Sequence, residues 1–325
     1  MTVPDTPRYR SLERLGWATA ALAIPFGIGL LVDPRLVDGA PVWLKPAKFA
    51  VSIAIYSFTL AWILPRLTAW PRLARTAART TTVTLALELV LIGAQAARGT
   101  ASHFNIATPV DAVVFAAMGI AILVQTLVSL AVAVALWRQP FEDRALARAL
   151  RFGMALAVAG ASVGGLMTQP TRAQLAQAEA TGTIARAGQH TVGAEDGGPG
   201  LPGTGWSVAH GDLRVPHFVG LHALQVLGVL GVLLARRRAR TADVRLAERL
   251  AGEDARLVAA ASASYAGLFV VLLGQALAGQ SVTAPAGSIL AAFGVWALGS
   301  VIALAWGLAR RARVFHSPAH AVEVA

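Results

Sequence analysis

Apolar residues gather along this chain into eight long stretches, separated by shorter polar intervals in which arginine, glycine and proline concentrate. The stretches cover roughly 13–32, 46–64, 81–101, 110–137, 147–168, 215–235, 257–278 and 288–308. About 20 residues of helix, rising 1.5 Å each, cross a hydrocarbon core. Inside that core every backbone N–H and C=O must find its partner within the segment, so each stretch predicts a helix. The expected fold is an all-α polytopic membrane protein with eight transmembrane helices in a single membrane domain, 1–325. The first stretch follows Arg8, Arg10 and Arg14 and is not followed by a small-residue cleavage site, so it reads as an anchor.

The distribution of basic residues tests this count. When the connections are assigned alternately to the two sides, 21 of the 28 lysines and arginines fall on one side. A wrong number of spans would scramble that alternation. The positive-inside rule then puts both termini in the cytoplasm of a bacterial cell, with the spans in the plasma (inner) membrane. The net charge of +11 records topology and contact with anionic lipid, and no nucleic-acid partner is expected. Composition agrees: 56% of residues are hydrophobic, only 14% are charged, and there is no cysteine, which excludes thiolate chemistry and iron–sulfur ligation.

The connections are short except for 169–214, an extracytoplasmic loop between a first half, 1–168, and the last three spans, 215–308. It opens with Thr171–His190, which could form a surface helix, and turns rich in Gly and Pro from Gly193 to Gly205, as a flexible crossing would. A cytoplasmic tail, 309–325, follows. Spans 1–4 can be laid over spans 5–8. Gly16 and Gly27 fall on Gly153 and Gly164, and Leu44, Lys45, Lys48 and Phe49 fall on Leu213, Arg214, His217 and Phe218. Gln95 and Gly99 fall on Gln275 and Gly279, and Ala116, Ala117 and Gly119 on Ala291, Ala292 and Gly294. These matches suggest a parallel 4+4 internal repeat, which would bring spans 2 and 6 face to face.

Candidate chemistry collects at the sparsely basic side. Lys45 and Lys48, the only lysines, open span 2; Arg98 closes span 3; Arg214 opens span 6. With Arg35, Arg172 and Arg186 they are the seven basic residues that break the positive-inside habit. Lys45, Lys48, Arg98 and Arg214 are expected to form an anion pocket for phosphate, carboxylate or propionate groups. His103, His217, His222 and Asp212 are the candidate metal ligands, since ligand-type residues at membrane depth are costly and tend to be functional. His217 and His222 are five apart, about 140° around a helix, so one ion cannot take both without distortion near Pro216. Asp212 could equally cap span 6. Glu88, Gln95 and Ser102 recur every seven residues, and Ser102 beside His103 is a conceivable nucleophile. Thr108, Pro109 and Asp111 fit a helix N-terminus. Of the loop histidines, His210 is the better candidate than His190 because Asp212 is near; His316 and His320 sit in the tail.

Three functions are compatible with these residues. The leading expectation is a membrane redox protein binding haem b or a transition metal near the outer face, with a quinone or anionic lipid as partner. Eight helices in two halves with histidine ligands resembles the architecture of the haem A synthase family. That family's Glu-x-x-His-Arg motifs are absent, so the resemblance carries over no residue role. The second is a metal-dependent hydrolase or transferase acting on a lipid headgroup or other amphiphilic anion. The third is a proton-coupled transporter or anion-binding receptor with Glu88 as proton carrier.

Overall fold

A computed structural model describes residues 9–316. Arg8 and His320, and with them both chain ends, lie outside the described residues. Nine α-helices are present among the described residues: α1 Arg10–Val32, α2 Leu44–Ile63, α3 Pro71–Ala97, α4 Pro109–Arg138, α5 Arg144–Met167, α6 Arg172–Thr181, α7 Arg214–Ala239, α8 Val244–Leu277 and α9 Gly287–Phe315. All but the ten-residue α6 are long and apolar enough to cross a membrane.

The helices run past the apolar stretches wherever a cap lies further out. α3 begins ten residues before the apolar stretch, at Pro71, whose missing N–H costs nothing in a first turn. α8 begins at Val244 because Asp243 accepts from the Leu246 N–H at 3.0 Å, and Asp143 starts α5 by accepting from Ala145 and Leu146. Thr108 caps α4 as expected, accepting from the Asp111 N–H. At the other ends, α3 and α8 stop in the same way. Gly99 and Gly279 take left-handed φ of +71° and +72° and donate to Ala96 and Ala276, while Thr100 and Gln280 donate back to Gln95 and Gln275. Span 3 therefore ends at Ala97 and leaves Ser102 and His103 in a loop.

α1 packs on α2 and α3, α2 on α3, and α3 on α4; α5 packs on α7 and α8, α7 on α8, and α8 on α9. The two sets meet where α4 packs on α5. The closest approach is between α5 and α7. A Cβ on Gly160 would sit 2.6 Å from the Leu221 nitrogen, and one on Gly220 2.5 Å from the Gly160 Cα. In lipid, where apolar side chains gain little by leaving the solvent, such small-residue contacts let backbones pack closely.

One face of the bundle is rich in arginine, and several of its charges are paired. Arg238 bridges Asp143 and Asp254, Arg311 reaches Asp254 at 2.6 Å, and Arg256 and Arg310 share Glu253. The opposite face carries four two-residue strands. β1 (Leu36–Val37) and β2 (Ala40–Pro41) form a hairpin whose turn residues, Asp38 and Gly39, both have positive φ. β3 (Thr191–Val192) pairs with β4 (Gly211–Asp212), and the segment between them folds over the bundle as a roof.

Candidate functional site

Beneath the roof lies a cavity of about 1330 Å³, larger than the pockets of roughly 300–1,000 Å³ that hold drug-sized ligands. Its walls come from α2, α3, α4, α5 and α7, so both halves contribute. Phe49, Ile53, Leu85, Ile92, Phe115, Met118 and Ile122 make much of it apolar. Toward the arginine-rich face it is closed by a buried cluster that includes Leu60, Ile63, Leu136, Leu150 and Met154. Its floor is polar: the Tyr56 hydroxyl meets Ser129 at 2.9 Å, and Gln125 donates to Ser129 and accepts from Thr84. Gln225 of α7 donates to Thr59 of α2 at 3.3 Å, joining the two helices that face each other across the space.

The roof is pinned from several directions. Lys48 donates to the Thr204 carbonyl at 2.8 Å and Arg214 to the Gly205 carbonyl at 2.6 Å. Arg186 pairs with Asp38 of the first hairpin. The Gly193–Gly205 crossing is thus a fastened cover. Two of the cations expected to bind an anion spend hydrogen bonds holding it, and Arg214 also forks onto Asp212.

Beneath the roof the histidines take distinct settings. His217 donates from Nδ1 to the Gly160 carbonyl at 2.8 Å, a contact made possible by the close approach of α5 and α7. His190 donates from Nδ1 to Asp196 at 2.8 Å, and the same carboxylate accepts the N–H groups of His190 and Thr191. Burial keeps the His190 ring below its ordinary value against the pull of Asp196. Burial works against ionisation of Asp196, but the His190 ring and those two N–H groups outweigh it and hold its carboxyl well below the usual range. A neutral imidazole thus donates to a carboxylate, and its Nε2 lone pair is left for the cavity. Phe104, at the left-handed φ of +62°, packs edge-on to His190 at 4.8 Å.

His103 lies between two polar groups. Its Nδ1 is 3.1 Å from the Ser102 hydroxyl and its Nε2 is 3.3 Å from Glu88 Oε1. Burial first, then the neighbouring Lys45, His190 and His217, drive the His103 ring well below its ordinary value. Glu88 is only 1% exposed, and neither carboxyl oxygen has a hydrogen-bond partner among the described residues. The Lys45 ammonium favours the charged form of Glu88, and Lys45 itself makes no hydrogen bond to a described residue.

Of the residues singled out by the sequence, the cavity brings together Lys45, Lys48, Glu88, Ser102, His103, His210, Arg214, His217 and His222. Two stand apart. Arg98 points to Gln95 and Asp111 beside the helix end, and Asp212 is buried against Arg214 and the Ser207 N–H. Among the described residues no group of three or more histidine, aspartate or glutamate side chains is placed to hold a metal ion. His190 is the larger omission. A histidine in a loop carries no periodic signal, although an aspartate six residues on, before Gly-Gly-Pro-Gly, is a pairing the sequence displays. No protein-family model matches the chain, and comparison with curated proteins and with solved structures finds no match.

Proposed function

We propose that this membrane protein binds an amphiphilic anion in the roofed cavity and acts on it by general acid–base chemistry, as a transferase or hydrolase of a lipid-like substrate. The observation that carries this reading is the joining of a large, mostly apolar cavity to one polar end, where the buried Glu88, whose oxygens accept no hydrogen bond from a described residue, lies 3.3 Å from His103 and under the influence of Lys45. An acyl chain would occupy the apolar part and an anionic group would meet Lys45. His103, held neutral by its burial, would exchange a proton with the substrate or with Ser102. Metal ligation is not required by this scheme.

Native mass spectrometry of the protein released from nanodiscs of phosphatidylglycerol and phosphatidylcholine tests the binding. Retention of one anionic lipid, reduced at least tenfold by Lys45→Gln, is expected. No retention, or equal retention of both lipids, would overturn the reading.

A second reading, haem b or a metal in a redox role, is favoured by one specific observation. His190 and His217 both anchor Nδ1 on an oxygen and leave Nε2 free, the arrangement typical of ligating histidines. Oxidised and reduced absorption spectra with metal analysis decide it. The positive-inside rule supports a cytoplasmic arginine-rich face and an extracytoplasmic roof in a plasma membrane. The repeat is supported by the matching helix contacts of the two halves and by the identical endings of α3 and α8.

A further inference from the structure

The geometry points to a lateral portal between α4 and α5 through which a lipid of the surrounding bilayer slides its acyl chain into the cavity. This rests on the amphiphile reading above and adds the source and route of the ligand. On α4 the cavity lining includes Ala116, Gly119 and Leu123, all of them exposed, Leu123 at 59% and on the same helix face as the exposed Ile120 and Leu127. On α5 the same holds for Ser162, Gly165 and Thr168. On each helix the exposed face therefore runs without interruption into the cavity wall. A Cβ added at Gly119 or Gly165 would meet nothing within 4 Å, so neither position is packed against the facing helix.

The opening has a frame. Toward the arginine-rich face Arg151 donates to the Leu136 and Gln139 carbonyls, and Trp137 meets Phe152 edge-on at 5.4 Å, clamping α4 to α5. Toward the roof Phe104 packs on Phe115 at 5.9 Å and belongs to a cluster with Val163 and Met167. Between the clamp and this cluster, Gly119 and Leu123 of α4 and Ser162 of α5 are both exposed and part of the cavity wall. Gly119 lies ten residues into α4, about 15 Å below its start at 1.5 Å per residue. A gap at that depth meets acyl chains rather than water. The small residues alone would not define a site. The second observation is the polar end it leads to, where Glu88, almost fully buried, has two carboxyl oxygens with no hydrogen-bond partner among the described residues. An amphiphile whose chain passes between α4 and α5 could bring its polar group to this end without leaving the bilayer.

The test uses the full chain in phosphatidylglycerol vesicles containing a phosphatidylglycerol with a diazirine in one acyl chain. After illumination, labelled residues are mapped by mass spectrometry. Wild type is expected to be labelled inside the cavity, at residues such as Ser52, Tyr56 and Ile122, and outside on α9 at Val295 and Leu298. Gly119→Trp with Gly165→Trp should lower the interior labelling at least tenfold and leave α9 unchanged, while the two alanine variants retain both. Undiminished interior labelling in the tryptophan variant would overturn the portal and leave occupancy standing. Absence of interior labelling in wild type would overturn both.

Discussion

Glu88 is buried without a hydrogen bond from any described residue. A buried carboxyl without hydrogen bonds costs free energy, and an apolar side chain of similar size removes that cost. Glu88→Leu should leave the unfolding temperature in detergent unchanged or raise it by a few degrees, while abolishing any proton transfer through His103. A fall in that temperature would make Glu88 a structural residue. Asp196 is the opposite case. Asp196→Asn replaces charge-assisted bonds and should loosen the roof by about 1.5–3 kcal/mol, read as faster amide exchange at His190 and Thr191. Acid acts in the same direction. Asp196 is depressed, so its contribution is present above about pH 4 and is lost as pH falls through its folded value. His103 and His190 are depressed bases: the unfolded chain takes up their protons near pH 6.5 and the folded chain does not, so stability already falls below about 6.5. Protection of the Thr191 amide, relative to its intrinsic exchange rate at each pH, should therefore fall in two stages as pH is lowered, and the lower stage should vanish in Asp196→Asn.

At the scale of the elements, glycine means different things on two faces of α5. Gly160→Val would force a side chain into the α7 backbone and break the His217 contact, a cost of about 3 kcal/mol from overpacking. Gly165→Ala meets open space and should stabilise the helix by about 0.5–1 kcal/mol. Thermal unfolding in one detergent compares the two, and equal effects would contradict the interface described. The sequence announced the helices through their apolar stretches because lipid imposes hydropathy on each exposed face. It did not announce their ends, since Asp143, Asp243 and Pro71 act through single local bonds that no average over 20 residues can register. Nor did it separate Arg98 from Lys45: both lie near the mouth of a span, and only the turn after Ala97, set by Gly99, directs Arg98 away to Asp111.

At the scale of the whole molecule, the absence of cysteine makes orientation directly measurable. Ala180→Cys on α6 should react with a membrane-impermeant maleimide in intact cells, and Ala239→Cys at the end of α7 only after permeabilisation. The reverse pattern would invert the topology. The cavity itself was not legible as a volume, because it depends on helices far apart in sequence, although the residues at its polar end were mostly visible as costly groups at membrane depth.

The fastened roof also bears on how the protein is made. Its covering segment is translated after α5, yet it is held by Lys48 and Asp38, which were translated long before. The first five helices must therefore wait in the bilayer with their part of the chamber uncovered until the ribosome has delivered the roof and then the α7 wall, and two separately synthesised halves would have to find each other before either was enclosed.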